Sequence, residues 1–462
     1  MTTVAILGAG PAGLAAAQSA LAAGADVVVV DEAERIGGQF WRHHDTLTDR
    51  RMQHQWARFE RLRALLDPAG TAASAGRVVV HSSASVWRIE TGAGIRVHAL
   101  VGPADAAARQ GLTIQADALV IATGAHDRAL PVPGWTLPGV VTAGAAQAIA
   151  KRDGVAIGRR TVVAGAGPFL LPVASSLALA GGSVVEVVEA TRAAALVAGW
   201  ARAPWRLAGS APAKAPELWD YVSGLVRRRT PYRTGSAVTR IHGRGRVEAA
   251  TIQRIDGDWR PIVGTERLVE CDAVALGHGF TPRLEAAIQA GCDIRPDRFV
   301  AVDQQQATSV AGVYAAGEVT GIAGADAALA EGAVAGFAAA GGDPTDARIR
   351  PARLVRRRMH AFAERLKTHD IRPGWKAWLD DDTVICRCET VTRAQIAEYA
   401  GASSRGLRLA TRAGLGACQG RTCGRTVEEL TGVRIGYDAR PVLGSVRVGE
   451  LAAVHAERVD AG

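Results

Sequence analysis

Four cysteines in the last quarter of the chain carry the most specific chemistry the sequence offers. Cys386-Arg-Cys388 is followed, after 29 intervening residues, by Cys418-Gln-Gly-Arg-Thr-Cys423, a C-x-C…C-x4-C spacing. Four thiolates on two loops meet the needs of either zinc or an iron–sulfur cluster. Zinc ribbons use C-x2-C turns on both arms, which this spacing matches poorly, so a cluster is favoured over zinc. Cys271 and Cys292 stand alone. In a chain that reads as having no export signal, cysteines paired at short spacing favour a metal or redox site over structural disulfides. Thr392-Arg-Ala-Gln-Ile-Ala-Glu-Tyr-Ala, between the pairs, has helical periodicity, and Thr411-Arg-Ala-Gly-Leu-Gly-Ala leads into the second pair as a glycine-rich loop. Its backbone N–H groups could donate to cluster sulfurs. Arg412 and Arg421 would offset the negative charge of a cluster, or else are ordinary surface residues.

The second chemical signal is at the N-terminus. Val4-Ala-Ile-Leu precedes Gly8-Ala-Gly10-Pro11-Ala12-Gly13, an Ala-rich helical run and Asp26-Val-Val-Val-Val-Asp31. This is a complete βαβ unit. Gly8 permits the tight turn, Gly10 lets backbone approach a pyrophosphate, and Gly13 allows close packing of helix on strand, with helix N–H groups facing the phosphates. Asp31 is placed to accept hydrogen bonds from an adenosine ribose, with Glu32 directly after it. The flanking strands and the acid at the expected distance argue against a glycine turn that binds nothing. The fingerprint alone is shared by FAD and NAD sites.

A second strand, turn and helix begins at Arg160-Thr-Val-Val-Ala-Gly165-Ala-Gly167-Pro-Phe-Leu170-Leu, followed by the strand Ser183-Val-Val-Glu-Val-Val-Glu189. The third glycine position is Leu170, and Pro172 falls early in the helix. Two readings stand: a NAD(P), ATP or other nucleotide pocket, or a retained fold whose site is empty. No cysteine lies between Thr161 and Arg267. A dithiol mechanism in that span is excluded.

At 462 residues and 48% hydrophobic composition the chain has material for several cores. The uncharged stretches Met1 to Ala25 and Thr161 to Val185 are broken by glycine and proline in strand-turn-helix order, so neither is expected to span a membrane. The chain reads as cytoplasmic and unprocessed. Its net charge of +9 comes from scattered arginines, with runs at Arg227 to Arg229 and Arg356 to Arg358, and aromatic content is 5%. Basic residues are not interleaved with stacking aromatics, so no nucleic-acid partner is expected. Solvated surface, or a docking face for an acidic partner, explains the runs.

Ile36-Gly-Gly38-Gln39, Leu119-Val-Ile-Ala122-Thr123-Gly124 and Thr308-Ser-Val-Ala-Gly-Val-Tyr-Ala-Ala-Gly317-Glu318 extend the first unit. In order and spacing they resemble the two-dinucleotide-domain flavoproteins that include thioredoxin and glutathione reductases. The resemblance implies FAD in the first unit, Glu318 reaching the ribityl chain where Asp is commoner, and Val86 covering the adenine with backbone. The four-cysteine segment resembles the bacterioferritin-associated-ferredoxin type of [2Fe–2S] domain. Together with Gly-Trp-Thr-Leu-Pro-Gly-Val at 134–140 and Thr-Ala-Gly-Ala-Ala-Gln at 142–147, nearly the whole chain resembles one family. That family holds the larger flavoprotein component of opine oxidases and the α subunits of D-hydroxyproline dehydrogenase and hydrogen cyanide synthase complexes. The resemblance implies a partner β subunit of D-amino-acid-oxidase type with its own flavin, with or without a further small subunit. It also implies an electron-relay role for this chain in amino-acid or opine oxidation.

The fold expected is α/β: a two-dinucleotide-binding-domain, Rossmann-like flavoprotein with a small C-terminal α-helical [2Fe–2S] domain. Expected boundaries are residues 1–152 and 267–348 for a split FAD domain, 153–266 for the second nucleotide-like domain, 349–377 for a helical linker, 378–434 for the cysteine domain and 435–462 for a tail with a Pro-containing extended stretch. His126 and His278 lie beside family flavin segments and read as neutral, packed histidines. No general acid or base is assigned. Rival classes are a self-contained NAD(P)H-dependent flavin reductase and a structural or regulatory subunit with zinc at the four cysteines.

Overall fold

The computed structural model describes residues 1–44, 51–66, 76–104, 106, 108–128, 130–202 and 204–452. Two parallel five-stranded sheets organise it. In the first, the strands run in the order Val313–Ala315, Ala118–Ile121, Thr3–Leu7, Asp26–Val30, Val78–His81. Their near-continuous Val, Ile and Leu content suits strands covered on both faces. The helix Pro11–Ala22 starts directly after Gly10 with proline in its first turn, where a missing N–H costs nothing. It packs against Ala325–Ala339 so closely that a Cβ at Gly332 or Gly336 would lie 2.0 Å from the Ala12 carbonyl or 2.1 Å from that of Ala16.

The second sheet runs Tyr232–Thr234, Ser183–Glu189, Arg160–Gly165, Ala273–Gly277, Val140–Thr142, again all parallel. It recruits strands from both sides of the 153–266 span that the sequence suggested. The chain crosses between the two folds at a short antiparallel pair, Ala125–Asp127 with Phe280–Pro282. The sequence boundaries at 152 and 267 therefore fall inside the second fold, because strands at 140 and 273 flank its first strand and bury its core. Antiparallel three-stranded sheets, Ala84–Glu90 to Ala116 and Ser236–His242 to Glu270, cap each fold.

A basic helix, Arg350–Leu366, and a short turn, Lys367–His369, lead to the cysteine lobe. The lobe has a two-stranded ribbon, Val384–Cys386 with Val391–Thr392, and the helices Arg393–Glu398, Ser404–Thr411 and Gly424–Thr431. Thr392 and Gln395 form a capping box at the first of these. Ile385, Leu407 and Val427 share one core with Trp259, Trp375 and Trp378 of the second fold and the linker. The stretch after 434 completes the lobe instead of leaving it. Tyr437 is buried, its hydroxyl donates to the Ala413 carbonyl at 2.9 Å, and a Cβ on Gly414, Gly420 or Gly424 would sit 2.0, 2.6 or 2.7 Å from its ring. Farther on, the Leu443 N–H donates to the Trp87 carbonyl at 2.9 Å, so the tail returns to the first fold. Residues 453–462 of the expected tail lie outside the described residues. Among the described residues no helix is long and apolar enough to cross a membrane.

Candidate functional site

A cleft of about 2240 Å³ runs between the folds and is lined by both glycine turns, the linker and Arg421 of the cysteine loop. At its first end Gly8 has φ +103°, and a Cβ there would lie 2.4 Å from the Ala122 carbonyl. A Cβ on Gly13 would lie 1.7 Å from the Gly8 carbonyl, and one on Gly38, at φ +60°, 2.7 Å from the Gly10 Cα. Three chain segments thus press their backbones together and leave N–H groups and open space where a pyrophosphate fits. Pro11, Ala12, Ala122, Thr123 and Gly124 line the same end. The Thr123 hydroxyl donates to the Arg283 carbonyl at 2.9 Å, which ties the crossing strand to the other half of the fold.

Asp31 turns inward more than the sequence suggested. Its carboxylate accepts the Ala9 N–H at 2.5 Å and the Ala33 N–H at 2.7 Å, bracing the glycine turn. Burial nevertheless raises its pKa, against the pull of those hydrogen bonds. Glu32, the neighbour, is exposed and paired with Arg283 at the cleft. Arg283 carried no sequence signal, because its partners are some 250 positions away in the chain. Val86 lines the cleft from the strand Ala84–Glu90, and Gln39 lines it from the loop after Gly38, its side chain accepting from Arg42 at 3.2 Å.

Farther along the cleft stands a group of buried acids. Gly317, at φ +81°, donates its N–H to Glu331 at 2.9 Å, and the Thr320 hydroxyl donates to the same oxygen at 3.0 Å. Glu318 is pushed up to about 7, first by burial and then by the charges of Glu331 and Asp127. Asp127 accepts the Gly144 N–H at 2.9 Å, and a Cβ on Gly144 would meet its carboxylate at 2.6 Å. The glycine of the Thr142-Ala-Gly segment is therefore required by a carboxylate, a role sequence reasoning did not assign. Lys151, also missed, donates to the Phe40 carbonyl at 3.0 Å from the helix Ala143–Asp153, and burial pulls its ammonium down to about 8.

The four cysteines meet as two pairs, Cys386 with Cys423 and Cys388 with Cys418, each pair hydrogen-bonded through its thiols. Cys386 and Cys423 are buried, Cys418 is partly exposed and Cys388 is exposed. Backbone N–H groups of Gly414, Glu389 and Cys388 address the Cys386 sulfur, and those of Thr422 and Gly420 address Cys418. The donors from the glycine-rich loop are thus in place. Among the described residues no group of three or more His, Cys, Asp or Glu is arranged to hold a single metal ion. The two arginines expected to offset a cluster have carboxylate partners instead: Arg412 pairs with Glu389 at 2.7 Å, and Arg421 with Glu285 at 2.9 Å. These acids, brought in by folding, neutralise them locally.

Both histidines are packed and neutral. Burial takes His278 down to about 3, between the rings of Trp259 and Trp378. Burial also lowers His126, whose Nε2 lies 3.1 Å from the Arg421 carbonyl.

A sequence profile of the pyridine nucleotide-disulphide oxidoreductases matches residues 2–201 and 216–332, which span both glycine turns. The chain belongs to this oxidoreductase family. Within it, the chain is 34% identical to the A component of opine oxidase from Rhizobium meliloti, over 97% of this chain and 87% of that protein. It is 31% identical to the HcnB component of hydrogen cyanide synthase from Pseudomonas aeruginosa, over 90% of both. The alpha component of sarcosine oxidase from Corynebacterium sp. (strain U-96) is 29% identical over 72% of this chain but only 32% of its own length. Among solved structures, L-proline dehydrogenase from P. horikoshii shares the fold with a TM-score of 0.63 at 21% identity, covering 97% of this chain and 79% of that one. T. acidophilum thioredoxin reductase matches 74% of this chain and 99% of its own with a TM-score of 0.52 at 22% identity. As a pyridine nucleotide-disulphide oxidoreductase, the chain has the family's two FAD/NAD(P)-type units and, between Thr161 and Arg267, none of the cysteines a dithiol enzyme would need.

Proposed function

We propose that the chain binds FAD in its first unit and a [2Fe–2S] cluster at Cys386, Cys388, Cys418 and Cys423, and serves as the electron-relay subunit of an amino-acid or opine oxidising complex. The observation that carries this reading is the contact between the crossing strand and the cysteine loop, His126 to the Arg421 carbonyl at 3.1 Å, which brings the two candidate redox sites against one another. The glycine cradle, empty of Cβ atoms, fits a dinucleotide pyrophosphate, and exposed Glu32 stands beside it within reach of a ribose. Four sulfurs on two loops, met by backbone N–H groups, fit a thiolate-held cluster. When bound, FAD exchanges electrons singly or in pairs and the cluster passes them one at a time.

The chain's own residues hold and insulate these centres. Asp31 braces the glycine turn, Glu318 offers a buried carboxyl to the flavin side chain, and Tyr437 keeps water from the Cys386–Cys423 side of the loop. Relatives named as components of opine oxidase, hydrogen cyanide synthase and sarcosine oxidase support assembly with a second subunit that oxidises a C–N bond, of D-amino-acid-oxidase type and with its own flavin, in the cytoplasm. We place the domain functions at both parallel sheets and the cysteine lobe through Tyr437.

The test is the flavin, iron, sulfide and zinc content of anaerobically purified protein, with spectra before and after dithionite. FAD with about two irons and two sulfides per chain is expected. Zinc without sulfide would overturn the relay through the cysteines.

A further inference from the structure

Both βαβ units use the acid after their second strand in the same way. In the first, Asp31 accepts N–H groups from the glycine turn and from two residues onward, Ala9 and Ala33. In the second, Glu189 accepts the Gly167 N–H at 2.9 Å and the Thr191 N–H at 2.8 Å, one residue farther into the turn, as its extra methylene allows. The units differ in what covers the other side of the acid. Asp31 keeps part of its surface at the cleft, where a ribose would approach. Glu189 has none: its exposure is 0%.

His369 covers it. The imidazole Nδ1 donates to Glu189 at 3.4 Å and lies 3.3 Å from the Thr191 hydroxyl, while the Tyr232 hydroxyl donates to Glu189 from the opposite side at 3.3 Å. The ring's Nε2 is buried with no hydrogen-bond partner. A Cβ on Gly167 would come within 3.9 Å of the His369 Cβ, so the ring stands over the turn itself. The segment is gripped from outside as well. The helix Ala193–Ala201 carries a glycine at 199 where a Cβ would strike the Thr368 side chain at 2.2 Å, Trp200 meets the rings of Phe362 and His369, and Arg365 donates to the Arg202 carbonyl.

We infer that residues 367–372 are a strap by which the chain closes the adenosine end of its own second nucleotide unit. His369 takes the place of a ribose hydroxyl on Glu189, and a nicotinamide or adenine nucleotide gains access only when the strap is withdrawn. The buried carboxylate suits an unsubstituted ribose and repels a 2′-phosphate, so the ligand class of the opened site is an adenosine nucleotide with a free ribose. This inference depends on neither the cluster nor a partner protein.

The experiment is calorimetric and fluorescence titration of the purified, flavin-loaded chain with NADH and with ADP-ribose, comparing wild type with His369→Gly. The wild type is expected to show no saturable binding and no bleaching of its flavin by NADH. His369→Gly is expected to bind both probes at least tenfold more tightly, and added imidazole, refilling the vacated ring position, to displace them competitively. Tight binding by the wild type would overturn the inference. So would a folded variant, with native flavin content and circular dichroism, that still binds neither probe, since the closure would then lie in the turn around Leu170. Should that variant not fold, His369→Asn, which keeps a donor to Glu189 but opens the space of the ring, carries the same comparison.

Discussion

The Nε2 of His126 lies 3.1 Å from the carbonyl of Arg421, joining the strand that leaves the first glycine-rich fold to the loop that holds Cys418 and Cys423. Arg421 in turn pairs with Glu285 at 2.9 Å and donates to the Leu443 carbonyl at 3.2 Å, so strand, helix, loop and tail meet at one residue. Such a junction is short and largely shielded from solvent, which suits transfer of electrons across it.

Replacing His126 with Phe keeps the ring's bulk and removes the hydrogen bond. Flavin and iron contents are expected to stay at wild-type levels. Electron exchange between the two chromophores, followed by stopped-flow reduction of flavin and cluster absorption, should slow by about tenfold, an effect of about 1.4 kcal/mol on the barrier. Unchanged exchange would remove His126 from the path.

Gly13→Val is expected to abolish flavin binding outright. The added side chain starts 1.7 Å from the Gly8 carbonyl and must push the helix off the strand. Flavin per chain in the purified protein measures this. The cysteine lobe, distant from the change, should retain its iron.

Tyr437→Ala empties the space against Gly414, Gly420 and Gly424. Loss of a large buried ring costs about 3 to 5 kcal/mol, felt first in the lobe around Cys386 and Cys423. A lowered denaturation midpoint together with faster loss of iron to a chelator is the expected result. A drop in midpoint with iron retained would show that the tyrosine supports the fold and not the thiol site.

Glu318 makes a prediction with a definite sign. Its folded-state pKa is raised to about 7 by burial and by Glu331 and Asp127, above its unfolded value of 4.5. Folding therefore favours the protonated form, and this contribution is complete below the unfolded pKa and is lost as pH rises through the folded one. The loss amounts to about 3 kcal/mol between acid and alkaline limits. Packed histidines such as His126 titrate in part of this window with the opposite sign, so the quantity to measure is the difference between wild type and Glu318→Gln. In urea denaturation of the flavin-free protein, the variant should gain stability over wild type as pH is raised from 5 to 8. A constant difference would mean that the carboxyl ionises freely in the fold.

Local spacing was enough to reveal the two ends of the chemistry. Gly8, Gly10 and Gly13 act within a single turn, and the strand patterns around them repeat every second residue, so their roles follow from near neighbours in the chain. The same holds for the paired cysteines and for the loop whose Gly414 N–H reaches Cys386. Domain boundaries were less legible, because the second sheet is finished by strands at 140 and 273 that look, in sequence, like parts of the first fold. Asp31 was found by position, yet whether its oxygens face a ligand or the backbone of Ala9 depends on a turn closed 22 residues earlier. Tyr437, Arg283 and the seat of His369 on Glu189 left no local trace, since each joins segments far apart in the chain. Composition and spacing determined which cofactors the chain is equipped to hold; only the tertiary packing decided which nucleotide unit stays open, because a hydrogen bond spanning 180 positions has no periodicity to betray it.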